Sequence, residues 1–306
     1  MMQLHHLGPR VYYSRVAASW PPPGASKAPK PSAADPSNHK RRGESGSNLI
    51  TPASPRPIDS AMRAYFPSEG TLVRAIEIQE LTKTFGPIHA LRGITLGVDA
   101  GDALVIFGPN GAGKTTLLKT IATLIRPTTG SVRLFGTDPR ADMRLRAQIG
   151  VVSHQSYLYP GLTGAENLLF AARLYGVPRP AERAARLLET VGLTGRAHDL
   201  VRTYSRGMAQ RLSIARSLVH DPPLLLLDEP YTGLDRQAAG VLTGLLTAMR
   251  GTRTIVLTTH SLEQGLALCD RMAILVDGVI VYEADDGLRD LRAVERIYAE
   301  CVGVPA

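Results

Sequence analysis

Beyond residue 73 the chain changes hydrophobic period several times. VRAIEIQ (73–79) alternates apolar and polar positions as a half-buried strand does, and ITLGV (94–98) has the same pattern. ALVIF (103–107) is a continuous apolar run ending at glycine, as expected of a parallel strand covered on both faces. Helical spacing follows over 114–125, then short strand patterns at SVRLF (131–135) and IGVVS (149–153). Residues 163–191 are helical in spacing throughout, with a break at Val177-Pro178. LLLLD (224–228), TIVLT (254–258) and MAILV (272–276) return to buried-strand character with helices between them. The pattern predicts an α/β protein with a β-rich start, an α/β core and a helical insertion at about 156–204. The residues beyond Asp285 again have helical spacing.

Composition separates the first seventy residues from the rest. They hold eleven of the 22 prolines, among them Pro21-Pro22-Pro23, with Ser, Ala and Gly between. Such a segment cannot bury enough apolar surface to offset chain entropy, so residues 1–70 are expected to be a disordered Pro/Ser/basic tail. A basic arm at Lys40-Arg41-Arg42 suits anionic lipid headgroups. A solvated tail, or translation starting at Met62, accounts for the same composition. The segment's nine Lys/Arg and four Asp/Glu supply +5 of the net +8, leaving the remainder mildly basic and arguing against a nucleic-acid surface. Cys269 and Cys301 have neither metal spacing nor the density of a disulfide framework, which suits a reducing compartment. No run reaches the roughly 18 apolar residues of a membrane helix. The expected plan is the tail 1–70, an α/β domain over 71–285 containing the helical part at about 156–204, and a helical extension over 286–306.

The clearest chemistry lies at GPNGAGKTT. Gly108, Pro109, Asn110, Gly111, Ala112, Gly113, Lys114, Thr115 and Thr116 follow a buried strand and open a helix. The glycines let backbone N–H groups curl round a phosphate at the helix N-terminus. Lys114 is expected to reach the β- and γ-oxygens of ATP, and Thr115 to ligate Mg²⁺. LLLLDEP places Asp228 at the carboxyl end of a second buried strand, where it would hold the same Mg²⁺. Glu229 follows directly and is the expected base for the attacking water.

Other residues are weak alone. Gln155 follows the strand at 149–153, where it suits a surface position or a sensor of Mg²⁺ and water. His260 ends TIVLTT and suits a strand edge or a donor to the γ-phosphate. Phe85 suits the core or a platform for the adenine ring. Asp235 suits the N-cap of the helix RQAAGVL. A second oxyanion loop, TYSRGMAQR (203–211), lies some ninety residues beyond the first and carries Ser205, Gly207, Gln210 and Arg211.

The order Phe85, GPNGAGKTT, Gln155, YSRGMAQR, LLLLDEP, Asp235, His260 resembles the nucleotide-binding subunits of ATP-binding cassette (ABC) transporters, over roughly 73–283. The resemblance implies a P-loop NTPase of ABC type, with a mixed parallel core sheet, an antiparallel β subdomain and a helical subdomain. It implies ATP and Mg²⁺, and a homodimer or pseudo-dimer of cassettes paired head-to-tail. In such a pair Ser205 and Gly207 complete the γ-phosphate site of the other copy, and Asp235 lies at the shared interface. Multi-span membrane permease subunits are the implied partners, reached from the cytoplasmic face of the membrane, and no nucleic acid is implied. The commonest family form of the loop is Leu-Ser-Gly-Gly-Gln; here Tyr204, Arg206 and Met208 depart from it.

SRGMAQR with DEPYTGLD is similar to exporter ATPases, and most like the haem-exporter ATPase of cytochrome c-type biogenesis. The alternative is the ATPase of a drug, lipid or polysaccharide exporter, whose substrate the membrane subunits would select. A soluble ABC ATPase of DNA repair, chromosome structure or the ribosome is the minor alternative. The chain lacks the zinc-binding cysteine pairs, long coiled-coil insertion or second cassette those would show.

Overall fold

The strands β3 (Ala103–Phe107), β6 (Leu224–Asp228), β7 (Thr254–Thr259) and β8 (Arg271–Val276) are almost entirely buried because both faces of their sheet are covered. Leu225 and Leu227 face one core, Leu224 and Leu226 the other; Val105 and Phe107 likewise oppose Leu104 and Ile106. The computed structural model describes residues 73–153, 156–285 and 290–303. The expected tail 1–70, Gln155, residues 286–289 and residues 304–306 lie outside the described residues.

The main sheet has the order β5-β6-β7-β3-β8-β9, where β5 is Ile149–Val152 and β9 is Val279–Ala284. All neighbours are parallel except β9, which runs antiparallel to β8. A second sheet, β2-β1-β4, is antiparallel. Its β1 (Arg74–Phe85) and β2 (Ile88–Asp99) are twelve residues each, longer than the alternating stretches predict, and β4 is Thr129–Leu134. Register shifts after Arg74, Ile78, Leu81 and Lys83 interrupt the alternation and conceal the full length from the pattern. This mixed sheet, antiparallel sheet and helical part make the fold the sequence implies.

Helix α1 (Lys114–Ile121) ends earlier than the expected 125, because Thr123 takes a left-handed conformation at φ 61°. The stretch 156–204 carries α2 (Gly164–Leu174) and α3 (Pro180–Thr190), separated at Val177-Pro178, and two 3-10 turns. Thr163 and Glu166 form a reciprocal capping box at the start of α2. Then follow α4 (Arg206–Ser217), α5 (Arg236–Thr247), α6 (Leu262–Leu266) and α7 (Leu291–Val302), the last packed on α6 and β8 with Val294 buried.

Two joints fasten α2 and α3 to the core. Arg183 of α3 donates to the carbonyls of Leu218 (2.6 Å) and Val219 (3.1 Å) and to Asp221, which also accepts from Arg253 at 2.6 Å. His220 stacks on Tyr175, just past α2, with ring centroids 3.9 Å apart, and its Nε2 lies 3.2 Å from the carbonyl oxygen of Ile149. Burial, reinforced by the Arg216 and Arg183 charges, pulls the His220 pKa from 6.5 down to about 4.

The folded pKa is the lower one, so between those values the unfolded chain binds a proton that the folded chain refuses. Stability therefore falls as pH drops from 6.5 toward 4, by on the order of 3 kcal/mol from this residue. His220→Phe keeps a stacked ring and removes the titration. In urea unfolding between pH 7 and 4.5, the variant should lose less stability on acidification than the native chain; equal losses would remove His220 as the cause.

Candidate functional site

The residues 108–116 leave β3 and enter α1 through a loop that admits glycine for steric reasons. A Cβ on Gly108 would stand 2.2 Å from the Leu275 carbonyl oxygen, and one on Gly113 (φ 105°) would stand 2.5 Å from that of Ala90. The first turn of α1 has neither an acidic residue nor a side-chain cap, so its N–H groups are oriented for an outside anion. Lys114 is buried, and its Nζ donates to the carbonyls of Gly108 (2.6 Å) and Pro109 (3.2 Å). A cleft of about 390 Å³ opens here, walled by Pro109–Thr116, by Ile88, His89 and Arg92 of β2, and by Glu229 and Asp277.

At the end of β6 the Asp228 carboxylate is 4% exposed and accepts two hydroxyls. Thr115 Oγ1 donates to Oδ2 at 2.8 Å, and Thr258 Oγ1 of β7 donates to Oδ1 at 2.8 Å. Among the described residues no group of three or more His, Cys, Asp or Glu is arranged to hold a metal. The Thr115–Asp228 oxygens instead fit Mg²⁺, a hard cation that keeps waters and takes the rest of its ligands from phosphates.

Glu229 adopts φ 49°, a strained conformation for a residue with a side chain, and its N–H donates to the Thr258 carbonyl at 3.0 Å. Its carboxylate lies between two cationic or donor groups. Oε1 is 3.5 Å from Lys114 Nζ, and Oε2 is 2.8 Å from Nδ1 of the exposed His260 ring. Tyr298 of α7 lies within electrostatic reach, since burial and then the Glu229 charge raise its pKa. Thus Lys114, Thr115, Asp228, Glu229 and His260, contributed by α1, β6 and β7, meet at one edge of the sheet.

Of the other expected residues that are described, none is among those walling that cleft. Phe85 stands at the β1–β2 turn, outside the cleft wall, with Lys83 Nζ 4.8 Å from its ring centroid. Ser205 caps α4, its Oγ accepting from the Met208 N–H at 3.2 Å. Asp235 caps α5, its Oδ1 accepting from the Ala238 N–H at 2.7 Å. These two caps adjoin: Gly207 approaches Leu234 and Ala238, and the Arg206 side chain lies against Gly233. One chain thus carries two oxyanion-suited loops, of which only the first walls the cleft.

Residues 91–232 match the family described as ABC transporter. A Nod factor export ATP-binding protein I of Burkholderia orbicola is 39% identical over 211 residues, which cover 67% of this chain and 69% of that protein. The chain belongs to the ABC transporter family. A daunorubicin/doxorubicin resistance ATP-binding protein of Streptomyces peucetius is 41% identical over 70% of this chain, which spans 66% of that relative. Among solved structures, a dimeric ATP-binding cassette in a post-hydrolysis state bound to ADP and Pi is 29% identical, with TM-score 0.63. That alignment covers 69% of this chain and 98% of the other.

The ABC cassette is an ATPase, and this chain has both the fold of one and a cleft lined by its phosphate loop. Two groups at the site escape a reading by motif: Thr258, and the β2 wall of Ile88, His89 and Arg92. The signal for Thr258 is a hydroxyl near the carboxyl end of a fully buried strand, in register with Asp228. Thr258→Val removes the hydroxyl that holds Asp228 in place. The Mg²⁺ concentration for half-maximal ATP hydrolysis should rise about tenfold, the scale typical of outer-shell ligand supports. An unchanged Mg²⁺ titration would leave Thr258 with a packing role alone.

Proposed function

We propose that the chain is the ATP-hydrolysing subunit of an ABC exporter, acting as a pair of copies that enclose two ATP and drive multi-span membrane subunits from the cytoplasmic face. The observation that carries this reading is the separation of the two loops. Ser205 and Gly207 are not among the residues that wall the chain's own cleft, which supports a phosphate that reaches this loop on another molecule. A head-to-tail pair brings Ser205 and Gly207 of each copy onto the nucleotide seated in the other.

The roles of the side chains follow from their positions. The loop N–H groups and Lys114 would bind the β- and γ-phosphates, Lys114 exchanging its carbonyl partners for phosphate oxygens. Thr115 and Asp228 would hold Mg²⁺, which when bound neutralises developing charge on the phosphates. Glu229 would accept the proton of the attacking water, with His260 orienting the carboxylate and reaching the γ-phosphate. Gln155 remains a proposed sensor of metal and water, and Phe85 a proposed contact for the adenine. Asp235, beside the second loop, would report one site's state to the other. Hydrolysis removes the contact that favours the closed pair, so the pair opens.

For the cargo, the relatives favour the drug, lipid or polysaccharide alternative over haem export. Their names concern daunorubicin/doxorubicin resistance, Nod factor export and, at 34% identity, linearmycin resistance in Bacillus subtilis. None of these supports the haem reading suggested by SRGMAQR and DEPYTGLD. Among the described residues no helix is long and apolar enough to cross a membrane, which is consistent with separate membrane subunits. The candidate contact for them is Tyr157 and Tyr159, which are 43% and 50% exposed, whereas Leu158 packs inward.

Glu229→Gln keeps nucleotide binding and removes the base. It should accumulate as an ATP-bound dimer on gel filtration with ATP-Mg²⁺, and a variant that stays monomeric would contradict the paired site.

A further inference from the structure

Helix α4 touches more of the machinery than its N-terminus does. Gln210 Nε2 donates to the Pro230 carbonyl at 3.0 Å, directly after Glu229. Arg211 Nη1 donates to the Val191 carbonyl at 2.9 Å, at the end of α3. Ser213 Oγ donates to the Ser156 carbonyl at 3.2 Å, and the Arg216 guanidinium lies 5.8 Å from the centre of the Tyr157 ring. The acceptors are backbone groups just past the ends of β6, α3 and β5. A displacement of α4 would therefore move the catalytic turn, the helical part and the tyrosine surface together.

The Gln210 bond acts on a constrained place, the turn after β6. Glu229 holds a left-handed conformation that persists only if its surroundings enforce it. On one side its N–H is tied to the Thr258 carbonyl at 3.0 Å, and on the other Thr232 donates to its own carbonyl at 3.1 Å. Gln210 is a side chain from outside the turn that fixes the next carbonyl. It lies about 7 Å along the same helix from Ser205, close enough for a rigid helix to carry a shift from one to the other.

We infer that Gln210 is a positioning residue, whose hydrogen bond to Pro230 makes the aim of Glu229 depend on whether Ser205 of the same chain is engaged on the second copy's nucleotide. The inference rests on the paired-site reading. It supplies a path by which each site's turnover responds to the nucleotide at the other, within a single chain and through one helix.

The test uses the full chain with Gln210→Met, which keeps the length and loses the donor, and Gln210→Lys, which keeps a donor. Phosphate release is followed against ATP concentration. Gln210→Met should lower kcat about ten- to hundredfold, the cost typical of a misplaced catalytic group, with KM for ATP unchanged and the Hill coefficient reduced to about 1. Gln210→Lys should recover most of both. Gln210→Met in the Glu229→Gln background should still form the ATP-dependent dimer. Native kcat and cooperativity in Gln210→Met would overturn the inference while the paired site stands, and so would loss of the dimer in the double variant alone. Failure of Glu229→Gln itself to dimerise would remove the paired-site reading and this inference with it.

Discussion

A parallel sheet covered on both faces has to release its chain at the same edge after every strand, and the candidate site is a consequence of that constraint. β3 delivers the glycine loop there, β6 delivers Asp228 and Glu229, and β7 delivers Thr258 and His260. These three segments are far apart in sequence. They meet because Leu224–Leu227 of β6, Ile255–Leu257 of β7 and Leu104–Phe107 of β3 fill two cores at once and fix the register of adjacent strands. At that edge a buried Lys–Glu pair and a buried carboxylate with two hydroxyls are retained, at a cost in desolvation that packing alone would not justify.

The same constraint explains why the second oxyanion loop faces elsewhere. α4 leads into β6 along one covering face of the sheet, so its N-terminus and the cap of α5 adjoin each other instead of the cleft. On the proposed reading, the cleft of one copy and the second loop of another are two parts of one nucleotide site. Pairing of copies is the simplest geometry that uses both, and it makes the nucleotide part of the contact between them.

Much of this was legible in the sequence, and the exceptions have physical causes. The glycine loop and Asp-Glu pair are local signals, because a tight turn and a strand end depend on residues adjacent in the chain. The lengths of β1 and β2 were hidden by register shifts, and the early end of α1 by the left-handed Thr123. β9 is not reported by the pattern because VIVYEA is half exposed and lacks the continuous burial of its neighbours. Thr258 and the partners of Gln210 and Arg211 were invisible for a different reason. Their meaning lies in acceptors contributed by other segments, which periodicity does not report. The cargo is less legible still, since the residues that mark a cassette contact nucleotide and not the transported molecule.

The central claim is that each nucleotide is served by residues of two copies. Mixing two defective chains tests it most directly: Lys114→Ala, with its second loop intact, and a Ser205→Ala/Gly207→Val double variant, with its phosphate loop intact. Each should be nearly inactive alone. A mixed pair would contain one complete site, so mixing equal amounts should raise ATP hydrolysis well above that of either component, below a ceiling of about a quarter of the native rate that coupling through Gln210 lowers further. A mixture as inactive as its components, or native hydrolysis by the double variant alone, would contradict the claim.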